Sequence, residues 1–73
     1  MENGYEKIKT SYNTLLRVAN LRQEATGLEF RDDGIYWRGE KIVARKAVEG
    51  IEDDAKIGGY VLALAHLTVT VFT

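Results

Sequence analysis

The sequence predicts an α+β domain, because helical periodicity on both sides of the chain brackets a stretch with strand composition. Apolar residues recur at Tyr5, Ile8, Tyr12, Leu15, Leu16 and Ala19. They recur again at Ala44, Val48, Ile51, Ala55, Gly58, Leu62 and Ala65, in the steps of three and four that line one side of a helix. Between them, Leu28–Ala44 carries Ile35-Tyr36-Trp37, which is strongly β-prone, and two closely spaced turn signals, Asp32-Asp33-Gly34 and Arg38-Gly39. One domain over residues 1–73 accounts for the length.

The first helix is expected over Tyr5–Glu24. Asn3 is its N-cap, and Glu6 three residues later completes a capping-box pattern. Glu2 and Glu6 suit the positive end of the helix dipole. Lys7, Lys9, Asn13, Arg17 and Asn20 fall on the polar side, and Gly27 is the expected stop. The β segment has two readings: a single hairpin turning at Asp33-Gly34, or a three-strand meander using both turns. The meander is preferred because Glu40-Lys41-Ile42-Val43 has no better use.

From Ala44 the spacing predicts a second long helix with a seam of small residues, which would let a neighbouring helix approach closely. Its weak point is Gly58-Gly59, since a glycine costs ~1 kcal/mol against alanine inside a helix. The seam is expected to pack on Ile8, Tyr12, Leu15 and Ala19, with both helices over one face of the sheet. Leu67–Thr73 alternates apolar and polar residues, the pattern of a short C-terminal strand.

Composition excludes several chemistries. There is no Cys and only one His, so a disulfide is impossible and a structural zinc site is nearly excluded. No signal peptide is visible, and no apolar run reaches the roughly eighteen residues needed to span a membrane. These features predict a cytoplasmic protein with no membrane partner. Ser11 is the only Ser and lies in a helix with no G-x-S-x-G turn around it, so nucleophilic catalysis has no apparatus. His66 sits in an apolar run, where a packed, hydrogen-bonded imidazole is expected rather than a general base. Asp32-Asp33 reads as turn chemistry and Asp53-Asp54 as a solvated helix face, and neither fits a calcium loop. The glycines match no phosphate-binding loop. The expectation is a protein without catalytic residues, cofactor or metal.

Charge is unevenly spread. Residues 1–46 hold nine basic and seven acidic residues, and residues 47–73 one and four. Arg31, Tyr36, Trp37, Arg38, Lys41, Arg45 and Lys46 interleave aromatics with cations around the hairpin, combining the residue types enriched at binding hot spots. These seven are the expected partner-binding residues, with a positive potential suited to an acidic surface. The acidic run Glu49, Glu52, Asp53, Asp54 is the competing face. The favoured function is a non-catalytic module, monomeric or weakly self-associating, that binds and modulates a larger host protein. By base rate, such small motif-free chains are often phage- or mobile-element-encoded regulators or inhibitors of a host enzyme such as the transcription machinery. A nucleic-acid-binding regulator using the same basic, aromatic hairpin is the second reading. A structural subunit assembling through the C-terminal strand is the third.

Overall fold

The structure, a computed structural model, describes residues 3–69. Helix α1 spans Gly4–Val18, and the single-turn helix α2 spans Gln23–Thr26. Strands β1 (Leu28–Arg31), β2 (Gly34–Trp37) and β3 (Glu40–Ala44) follow, then the single-turn α3 (Arg45–Val48) and the long helix α4 (Asp54–Val69). The three strands form an antiparallel sheet in the order β1-β2-β3, so the meander is correct.

Asn3 caps α1, accepting the Glu6 backbone N–H on its side chain at 2.9 Å. The helix then stops six residues short of the predicted end at Glu24, at Val18, because Asn20 takes a left-handed backbone with φ 59°. The Asn20 N–H bonds to the Arg17 carbonyl and the Leu21 N–H to the Leu16 carbonyl, a Schellman closure that satisfies the last turn. Gly27, the expected stop, instead ends α2 with φ 76°.

The β1–β2 turn runs through Asp32 and Asp33. The β2–β3 turn uses Arg38 (φ 53°) and Gly39 (φ 87°), the two positive φ values that match the right-handed strand twist in a two-residue hairpin. Register between β2 and β3 slips at Ile35/Tyr36: Ile35 faces Val43, but Tyr36 faces Lys41. Ile42 is thus an extra residue in β3, a bulge that lets Lys41 accompany Tyr36 while Val43 accompanies Ile35.

Tyr5, Ile8, Tyr12 and Leu16 form the buried stripe of α1. They join Leu28 and Ile35 of the sheet, Val48 of α3, and Ile57 and Leu64 of α4 in one core. Phe30 packs edge-on against the Tyr5 ring, with centroids 5.9 Å apart, and tilted against Tyr12 at 5.8 Å. Gly4 lets the start of α1 close on the loop after α3. A Cβ there would lie 2.0 Å from the Val48 carbonyl oxygen, and the Gly4 N–H bonds to the Glu49 carbonyl.

The second helical segment departs from expectation in three ways. Ala44 ends β3, and the helix breaks over residues 49–53 rather than at Gly58-Gly59. Gly50 weakens the first turn, and Asp53 restarts the helix by accepting the Ala55 N–H at 2.9 Å. Gly58 and Gly59 lie inside an unbroken α4, whose buried Ile57 and Leu64 anchor it on either side. The seam holds at Val48, which is buried, and at Ile51, which packs against the core, but it is assigned to the wrong face of α4. Ala55, Gly58 and Leu62 are exposed, Leu62 at 61%, while Ile57, Leu64 and Thr68 turn inward. On α1, likewise, Leu15 and Ala19 are exposed and Leu16 is buried. His66 is exposed rather than buried. The predicted C-terminal strand is helical as far as Val69, and its remainder, 70–73, lies outside the described residues. No helix among the described residues is long and apolar enough to cross a membrane.

Candidate interaction surface

Strand alternation sorts the predicted site residues onto two faces. Leu28, Phe30, Ile35, Trp37 and Val43 belong to the core side, either buried or packed against the buried cluster. Glu29, Arg31, Tyr36 and Lys41 share the opposite face. There Glu29 pairs with Tyr36 and Tyr36 with Lys41, giving a row that crosses all three strands.

Tyr36 is the hub of this row. The Arg31 guanidinium sits over its ring at 4.1 Å and the Lys41 ammonium at 6.0 Å. Its hydroxyl donates to Asp33 Oδ2 at 2.7 Å. The same carboxylate oxygen meets Lys41 Nζ at 2.9 Å, and Arg31 Nε meets Glu29 Oε2 at 2.7 Å. The ionisations follow from these contacts. The Lys41 ammonium, aided by the Tyr36 hydroxyl, holds the Asp33 carboxyl below its ordinary range. Lys41 is raised in turn by Asp33, and Tyr36 is raised by donating to the same carboxylate. Arg31 lowers Glu29 through the hydrogen bond it donates.

Sequence reasoning brought Arg31, Tyr36 and Lys41 together but missed Glu29 and Asp33, which balance the two cations. The signal was present for Glu29, since residues two apart on a strand share a face. For Asp33 it was not, because its approach to Lys41 depends on the bulge.

The remaining predicted residues lie elsewhere. Trp37 is on the core side, its ring packed near Gly27, and its Nε1 is buried without a hydrogen-bond partner among the described residues. Arg38 stacks over that ring at 4.7 Å from the hairpin tip. An arginine in a left-handed conformation is uncommon, and Asn or Gly is the usual occupant of such a turn. Arg45 is a clamp. Its guanidinium covers the Tyr5 ring at 4.8 Å, donates to the Asp32 carbonyl at 3.2 Å and pairs with Glu49 at 3.2 Å. Tyr5 holds the same turn through its hydroxyl, which contacts the Arg31 and Gly34 carbonyl oxygens at 2.5 and 3.1 Å. Burial raises the Tyr5 phenol above its ordinary pKa. Lys46 is exposed on α3.

Of the competing acidic run, Glu49 is engaged by Arg45 and Asp53 caps α4, leaving Glu52 and Asp54 exposed. No group of three or more His, Cys, Asp or Glu side chains among the described residues is arranged to hold a metal ion. Comparisons with protein-family models, with curated proteins and with solved structures found no match.

Proposed function

We propose that this chain is a non-catalytic interaction module that binds and modulates a larger protein, docking through the outer face of its sheet. The observation that carries this reading is the fixed Tyr36 ring, held between Arg31 and Lys41 on the face opposite the core. An aromatic ring with flanking cations supplies apolar area and directional polar groups together, the composition of binding hot spots. The ion pairs fix these side chains before contact, so less side-chain entropy is lost on association. Because Glu29 and Asp33 accompany the two cations, the fitting partner surface is polar and of mixed charge rather than simply acidic. The small size and lack of reaction motifs suit a cytoplasmic regulator or inhibitor of a host enzyme, such as one encoded by a phage or mobile element and acting on the transcription machinery.

A nucleic-acid partner for this hairpin is the weaker reading. It requires cations free to meet phosphate, and Arg31, Lys41 and Arg45 each hold a carboxylate while Arg38 lies on the Trp37 ring, which leaves Lys46. Assembly with further copies is favoured by one feature, the exposed Leu62 on a helix that carries no Asp, Glu, Lys or Arg from Ile57 onward.

The deciding experiment captures proteins from lysate on the immobilised wild-type chain and on a folded Tyr36→Ala variant. The protein retained only by the wild type is then identified and titrated. Tyr36→Ala should weaken its binding more than tenfold, about 1.4 kcal/mol. Equal affinity of the two forms for that protein rules out the sheet face.

A further inference from the structure

Among the described residues, three of the five arginines are matched by a carboxylate or a ring, and two are not. Arg31 and Arg45 pair with Glu29 and Glu49, and Arg38 stacks on Trp37. Arg17 and Arg22 have no carboxylate or ring partner among the described residues, yet both line the same cleft. This cleft, about 530 Å³, lies at the corner where α1 gives way to α2. Asn13, Asn20 and Gln23 bring three side-chain carboxamides to it, and none of these makes a side-chain hydrogen bond within the described residues. Leu16 and Leu21 complete the lining.

Among the described residues no Asp or Glu lines the cleft, and residues 7–23 contain Lys7, Lys9, Arg17 and Arg22 with no acid at all. Its shape is set by backbone, since the left-handed Asn20 and the two Schellman bonds fix the angle of the corner. The α1 dipole explains a cation at Arg17, in the last turn. It does not explain Arg22, which lies beyond the helix, or the carboxamides of Asn13 and Gln23, whereas Asn20 is accounted for by its left-handed backbone.

We propose that this cleft binds a small phosphate ester. Guanidinium groups match phosphate oxygens through paired hydrogen bonds, with geometry that a lysine cannot supply. Carboxamides both donate and accept, so they suit the polar part of the organic group, while the half-buried Leu21 offers apolar contact. The volume falls within the range of about 300–1,000 Å³ common for small-molecule sites. Both arginines are exposed, so the affinity is modest.

The test is an amide chemical-shift titration of the whole chain with adenosine monophosphate, inorganic phosphate, and sodium chloride at matched ionic strength. Adenosine monophosphate should move the amides of Asn20, Leu21, Arg22 and Gln23 saturably, with a dissociation constant of ~1 mM or tighter. It should bind more tightly than inorganic phosphate. The double variant Arg17→Gln/Arg22→Gln, with an unchanged circular dichroism spectrum, should lose at least tenfold in affinity. The proposal fails if the shifts are absent, if chloride reproduces them, if inorganic phosphate binds as well as the ester, or if the double variant binds equally. A single-stranded oligonucleotide that binds far more tightly than the mononucleotide, with steep salt dependence, reassigns the cleft to nucleic acid and also overturns the proposal.

Discussion

The Tyr12 hydroxyl and Thr68 Oγ1 are 2.7 Å apart in the buried interior, joining α1 to α4. Thr68 spends its own proton on the Leu64 carbonyl at 2.8 Å, so Tyr12 is the donor and Thr68 the acceptor. Removing the two partners therefore has unequal effects. Thr68→Val leaves a buried phenol without an acceptor and should cost about 1–3 kcal/mol. Tyr12→Phe leaves Thr68 still bonded to Leu64 and should cost about 0.5–1.5 kcal/mol. Urea denaturation of both single variants and the double variant measures the difference. Equal losses would show that the donor assignment is wrong.

Facing choices on α4 predict opposite responses. Ile57 is 5% exposed, and Ile57→Ala should cost about 2–5 kcal/mol. Leu62 is 61% exposed, and Leu62→Ala should stay within about 0.5 kcal/mol of wild type. Thermal melts at low protein concentration distinguish the two, and a large loss at Leu62 would mean that this face is covered in solution.

Two glycines respond in opposite directions to the same methyl group. At Gly4 the added Cβ would lie 2.0 Å from the Val48 carbonyl oxygen, so Gly4→Ala must push α1 away from the loop after α3 and lower stability. At Gly59 the Cβ meets nothing within 4 Å, and Gly59→Ala should raise stability by about 0.5–1 kcal/mol through helix propensity. Denaturation midpoints of the pair check both signs.

The Asp33 carboxyl should titrate below the ordinary Asp value of about 3.9. A carboxyl depressed in the folded state adds stability above its unfolded pKa, and that stability is lost as pH falls through the folded value. The loss is confined to strongly acidic solution and leaves neutral pH untouched. Lys41→Met should move the Asp33 titration upward, as followed by carboxyl carbon shifts. An unchanged titration in that variant would show that the ion pair does not persist in solution.

What the sequence made legible was local. Asn3 and its bond to the Glu6 N–H span three residues, and the two hairpin turns are marked by their own residues. The stop at Asn20 was less visible, because asparagine is equally at home on the polar side of a helix. The inward face of α4 was not readable at all. Ala55, Gly58 and Leu62 recur at helical steps, but so do Ile57, Leu64 and Thr68, and a helix apolar on most sides gives periodicity nothing to choose between. The surface row was half legible. Arg31, Tyr36 and Lys41 stand out by type, whereas the neutralising Asp33 meets Lys41 only because Ile42 is bulged out of register.

The join between Tyr12 and Thr68 spans 56 residues, and it has a consequence for the order of assembly. Contacts within the meander close short loops, while docking α4 on α1 closes a loop that is most of the chain and carries the largest entropic cost. During synthesis, α1 and the sheet leave the ribosome before α4 exists, with Ile8, Tyr12 and Leu16 lacking part of their cover. That interval is when a nascent chain is most open to chaperone capture or to pairing with a neighbour. Slow amide exchange in α1 should therefore appear only once α4 has been added.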